Sequence, residues 1–131
     1  MVKKGLKVTF CNVKVNGYIY GISHNCDSLL TYKWKVLSKE IQTSRLNGNF
    51  GGPKVTTVIL TCKLVEYNGR EQHSTYEHRF GFDGNEKMSS LGDRVMFPSK
   101  EQYIDWLNYL ERTYKRNLEI VQQLIKNKIQ R

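Results

Sequence analysis

Apolar positions along this chain follow two periods. Up to about residue 98 they alternate with polar ones, as in half-buried strands. From residue 99 they recur every three or four, as on one face of a helix. Val13-Lys14-Val15 and Tyr18-Ile19-Tyr20 flank Asn16-Gly17, the dipeptide best suited to the two positive φ angles of a type I′ turn. This predicts a first hairpin with Val15 opposite Tyr18, Val13 opposite Tyr20, and Lys14 and Ile19 on the reverse side. Residues 29–37 alternate cleanly. Leu30, Tyr32, Trp34 and Val36 form one face, and Thr31, Lys33 and Lys35 the other.

A second hairpin is expected from about 55–67 and 70–82, around Asn68-Gly69. A two-residue loop opposes Leu64 to His73 and Leu60 to Glu77. A three-residue loop, Tyr67-Asn68-Gly69, opposes Leu60 to Tyr76 and Val58 to His78. The longer loop gathers Val58, Leu60, Cys62 and Leu64 with Tyr76 and Phe80, so burial selects it, with Gly69 left-handed at a bulge. Residues 43–54 and 83–99 read as loops, rich in Gly, Ser, Asn and Pro; Val95-Met96-Phe97 could add a brief edge strand.

Residues 99–131 read as one helix, opened by the capping box Ser99-Lys100-Glu101-Gln102. Its apolar stripe is Tyr103, Leu107, Leu110, Tyr114, Leu118, Val121, Leu124 and Ile125, with Trp106 off the stripe beside the sheet. Such a helix spans roughly 46 Å, whereas strands of about ten residues span roughly 33 Å. One end overhangs, kinks or packs on another chain. A symmetric contact through Tyr114, Leu118, Val121, Leu124 and Ile125 would give a homodimer, with Asn117 able to sit at the seam.

The expected architecture is α+β: one domain over 1–131, a twisted antiparallel sheet of five to six strands within 1–98, then a long C-terminal α-helix. Whirly-type single-strand binders also place a helix after an antiparallel sheet. The chain is similar to them in element order only; no sequence motif is shared and no family is assigned.

Charge sharpens the picture. The net charge is +9. Residues 1–54 contribute +7, residues 55–98 contribute −1 and residues 99–131 contribute +3. An anionic partner follows: nucleic acid, a phosphorylated small molecule or an acidic protein surface. The three cysteines, Cys11, Cys26 and Cys62, are odd in number with no C-x-x-C spacing, so neither a zinc site nor a disulfide framework is expected. No apolar run is long enough to cross a bilayer and no signal core opens the chain. A reducing, cytoplasmic setting is the expectation.

No catalytic, metal or cofactor motif stands out. His73-Ser74-Thr75 resembles half the signature of two-histidine phosphodiesterases, but no second H-x-T/S exists. His24 and Cys26 lack a third catalytic group. Two regions suit anion binding. The glycine-rich stretch 45–54 brackets Phe50 between Arg45 and Lys54, with glycines for close approach to phosphate and an aromatic to stack. Lys14, Lys33 and Lys35 are expected on one sheet face, with Lys7 and Lys63 nearby. The expectation is therefore a small non-enzymatic protein that binds single-stranded DNA or RNA through Lys14, Lys33, Lys35, Arg45, Phe50 and Lys54, without a cofactor. The alternative is a binding or inhibitor protein that sequesters a nucleotide-like anion or blocks a partner protein.

Overall fold

The alternating run Val58, Leu60, Cys62, Leu64 turns one face of β3 (Lys54–Tyr67) onto the core, and β3 stands one strand in from an edge of the sheet. The computed structural model describes residues 8–25, 28–45, 54–73 and 75–129. β2 (Ser28–Arg45) runs antiparallel beside β3, from Tyr32 opposite Tyr67 to Arg45 opposite Lys54. β1 (Tyr18–Asn25) pairs with the outer side of β2. On the other side of β3 lie β4 (Arg70–Glu71) and β5 (Glu77–Asp83). β6 (Ser89–Leu91) and β7 (Arg94–Phe97) follow, and β7 pairs with β1. The chain ends in α1 (Lys100–Ile129). Seven antiparallel strands and one long C-terminal helix are thus found among the described residues, an α+β arrangement.

The sheet presents two faces. The core face carries Ile19, Trp34, Val36, Val58, Leu60, Cys62, Phe82 and Met96, all buried. A 3-10 turn, Phe10–Asn12, closes it. Phe10 stacks on Phe82 with ring centroids 4.0 Å apart. The Cys11 amide donates to Gly84 O at 3.0 Å and the Phe10 amide to Glu86 O at 3.1 Å. A bulge in β2 completes the closure. Val36 opposes Cys62 and Ser38 opposes Thr61, so Leu37 is the extra residue and Lys39 turns onto the core face opposite Leu60. Its ammonium then donates to Cys11 O at 2.6 Å and Val13 O at 2.8 Å.

α1 lies against the opposite face at its first turns only. Ser99 Oγ accepts from the Gln102 amide at 3.3 Å, the expected N-cap. The Gln102 side chain meets the Ser99 hydroxyl, which donates to its Oε1 at 2.7 Å, and otherwise turns away from the helix. Its Oε1 accepts from the Val8 amide and its Nε2 donates to Val8 O and Lys87 O, tying the helix start to the chain's beginning. Tyr103 stacks on Tyr20 with centroids 5.2 Å apart, and Trp106 sits 6.0 Å from Phe97. From Tyr114 to Lys128 every side chain is exposed, so the helix does overhang the sheet.

Three local expectations fail. Residues 13–15 form no strand. The Gly17 amide bonds Lys14 O at 2.9 Å with Asn16 alone at positive φ (71°), a type II turn, and Asn16 and Gly17 pair with Val36. The reason is competition: β2 and β7 occupy both edges of β1, and Val13 is needed over the core. The second turn is the two-residue type I′ form, with Asn68 at φ 52° and Gly69 at φ 78°, and Tyr67 opposite Arg70. The Gln72 amide still donates to Val65 O at 2.9 Å, but pairing with β3 resumes only at Glu77 opposite Lys63, in a shifted register, so Leu60 faces Phe80 and Val58 faces Phe82. Phe80 takes the place opposite Leu60 expected of Tyr76, which is 77% exposed, and Phe82 takes the place opposite Val58 expected of His78. Finally, residues 43–45 and 54 belong to strands rather than to a loop. The stretch 83–99 holds β6 and β7, with β7 inside the sheet rather than at its edge.

Two measurements test this packing. A Cβ on Gly84 would meet the Cys11 thiol and the Val58 and Thr56 methyls. Gly84→Ala is therefore expected to lower stability by about 1–3 kcal/mol in urea titration. Burial pushes the Cys62 thiol from 9.0 up to about 12. Cys62 should resist alkylation in the native protein and react once it is unfolded, read by peptide mass spectrometry. Its contribution to stability is complete below pH 9 and is lost as pH rises toward 12, where only the unfolded thiol ionises.

Candidate nucleic-acid interface

Strand register arranges the helix-bearing face as two cross-strand rows. One runs Tyr18 on β1, Lys35 on β2, Lys63 on β3 and Glu77 on β5. The next runs Phe97 on β7, Tyr20 on β1, Lys33 on β2, Glu66 on β3 and Glu71 on β4. Each row passes from aromatic to basic to acidic. Residues two apart on a strand share a face, so the rows stack into bands along the strands. Within these rows β1 supplies tyrosines, β2 and β3 supply lysines, and β3, β4 and β5 supply glutamates; further along β2, Glu40 lies on the same face, paired with Arg79 of β5 at 3.4 Å.

The bands touch. Lys33 Nζ lies 4.4 Å from the centre of the Tyr18 ring, a cation–π contact, and 3.7 Å from Glu66 Oε2. The Lys33–Glu66 pair is partly solvated and adds little stability. Lys35 stands directly opposite Lys63, and like charges so placed destabilise a ladder. Glu77, the neighbour of Lys63 on its other side, offsets only part of that repulsion.

Where the face meets α1, a groove of about 240 Å³ opens between Tyr20, Thr31, Lys33, Glu66, Lys100 and Tyr103. Burial, followed by neighbouring Tyr18 and then by the negative charges of Glu101 and Glu66, raises the Tyr20 hydroxyl above its ordinary value. Burial also raises Tyr103, opposed in part by a hydrogen bond to Thr31. Both therefore remain neutral hydrogen-bonding phenols beside two lysines, a setting for a phosphate and a base edge.

The structure divides the residues expected to bind anions. Lys33 and Lys35 share this face and are joined by Lys63. Lys14 is exposed in the turn before β1, not on the β2 face, because the first hairpin does not form. Arg45 and Lys54 pair at the far end of the β2–β3 ribbon, ten strand residues from Lys35, or about 30 Å. The Arg45 side chain and Phe50 lie outside the described residues. The tyrosines of β1 were missed as site residues, because the expected first hairpin spent them on Val13 and Val15. Their i, i+2 spacing was the available signal.

The opposite face offers no equivalent. Arg94 lies 4.5 Å over the Tyr32 ring and His78 packs on Trp34 at 4.7 Å, so these groups finish the core. Among the described residues, no three His, Cys, Asp or Glu side chains cluster to hold a metal, and no helix is long and apolar enough to cross a membrane.

The chain matches no known family model, no curated protein and no solved structure.

In a spectrophotometric titration, Tyr20 and Tyr103 are expected to ionise above the ordinary tyrosine range, and Tyr103→Phe should remove one late-titrating group. Ionisation of both at the ordinary value would contradict the packed geometry of the groove.

Proposed function

We propose that this protein binds single-stranded nucleic acid on the helix-bearing face of its sheet and performs no chemistry on it. The observation that carries this reading is the parallel run of two bands. Lysines 33, 35 and 63 lie beside Tyr18, Tyr20 and Tyr103, with Glu66, Glu71 and Glu77 at the β3 ends of the two rows. Flexible single strands are held by cations along their backbone and by aromatic rings under their bases. On this face the sugar–phosphate backbone follows β2, the bases turn toward β1 and α1, and Glu66, Glu71 and Glu77 repel a backbone displaced the other way. An anion also relieves the Lys35–Lys63 repulsion, so the same residues that cost the free protein stability favour the complex.

A second reading is favoured by the groove. Lys33 and Lys100 beside Tyr20 and Tyr103 suit one phosphate and one base, as in a free mononucleotide. Its volume of about 240 Å³ falls below the usual range for a complete small-molecule site, roughly 300–1,000 Å³. That favours one nucleotide unit of a longer strand.

Fluorescence anisotropy with a labelled single-stranded oligonucleotide separates the two. Engagement of Lys33, Lys35, Lys63 and Lys100 gives a log–log salt slope of about −3, or a ~50-fold loss of affinity between about 50 and 200 mM salt. Each Lys→Ala change on this face should flatten the slope by about 0.7. Tyr18→Ala should weaken binding by about 1–3 kcal/mol. A mononucleotide that competes as well as the oligomer supports the small-ligand reading. Affinity indifferent to salt and to these lysines sinks both.

A further inference from the structure

The C-terminal half of α1 is an apolar surface with no sheet beneath it. Leu118, Ile120, Val121, Leu124 and Ile125 are each about half exposed, between 49% and 57%. Leu118, Val121, Leu124 and Ile125 continue the stripe that Tyr103, Leu107 and Leu110 bring against the sheet, and Ile120 lies about 100° round the helix, on the side of Trp106 and Tyr109. Helical segments of about 15 residues are marginal alone in water, and contiguous apolar patches of several hundred Å² mark interaction sites.

A second feature lies near the other end of the same helix. Met88, Phe97, Trp106 and Tyr109 line an apolar groove of about 420 Å³, with Asp105 on its rim. Charge along α1 is graded in the same sense. From Glu101 to Glu111 there are three acids and no base. From Arg112 to Lys128 there are five bases and one acid. That gradient suits the dipole of a single helix. It also makes the helix complementary to an antiparallel copy of itself.

We infer that two copies of this chain pair through antiparallel α1 helices, each placing its C-terminal apolar half along the Met88–Trp106–Tyr109 groove of the other. A two-fold axis near Lys115 brings Leu124 to the level of Trp106 and Val121 to the level of Tyr109. Lys126 and Lys128 then reach the acidic first turns around Asp105 and Glu101. The four aliphatic residues of the stripe, Leu118, Val121, Leu124 and Ile125, remove on the order of 750 Å² from water over the pair. Groove and flanking side chains carry the total past the ~1,000 Å² that a specific interface needs. Isologous pairing of this kind is the commonest route to a homodimer.

Sedimentation velocity on the full chain tests this. A dimer is expected at micromolar concentration. Leu124→Glu should weaken it at least tenfold while the backbone-amide NMR shifts of β2 and β3 stay native. Asp105→Lys should weaken it, and adding Lys126→Glu with Lys128→Glu should restore it. A wild-type monomer, as a surface meant for a different protein would give, overturns the proposal. So does a dimer indifferent to Leu124→Glu, or charge reversals that fail to rescue one another.

Discussion

The pairing of β2 with β3 is the constraint on which the rest depends. These are the two longest strands, and their ladder decides which side chains reach each face. Its two irregularities matter as much as its regular parts. The extra Val65 between Lys33–Glu66 and Trp34–Leu64 lets β3 offer Glu66 to one face and still offer Leu64 to the other. The extra Leu37 turns Lys39 onto the core face, where it binds the carbonyls of the turn that closes the core. Without that bulge Ser38 would take the place of Lys39, and the N-terminal turn would lose its anchor. A one-residue slip would also exchange the lysine band for Trp34 and Val36, so core and proposed interface stand or fall on one register.

The legible parts of the fold are those set by unbroken periodicity. The alternation of β2 from Leu30 to Val36, the β3 core positions, the N-cap at Ser99 and the helix stripe can all be read along the chain. The illegible parts arise where an element answers to a distant partner. Asn16-Gly17 has hairpin chemistry, yet β1 has both edges taken by β2 and β7, strands that local pattern does not connect to it. At Asn68-Gly69 local turn chemistry and core burial conflict in sequence. The chain satisfies both by changing register between Glu71 and Glu77, which no pairing rule anticipates. The candidate site was half legible for the same reason. Lys33 and Lys35 follow from alternation, but Lys63, Lys100 and the tyrosines join them only through register and helix docking.

The arrangement also explains why a protein of net charge +9 need not be sticky everywhere. On the helix-bearing face the lysines are bounded by tyrosines on one side and by Glu66, Glu71 and Glu77 on the other. Charge attracts an anion from a distance, while the order of the bands gives the approach a direction. Arg45 and Lys54, at the far end of the ribbon, form a separate basic place about 30 Å away rather than an extension of this face.

Backbone-amide NMR during titration with a short single-stranded oligonucleotide tests the proposed interface most directly. Shifts centred on Tyr18, Tyr20, Lys33, Lys35, Lys63 and Tyr103, with the Phe10–Asn12 turn and the ribbon end at Arg45 and Lys54 unmoved, are the expected result. Shifts confined to the ribbon end or to the core-closing turn, or no shifts at low salt, would contradict it.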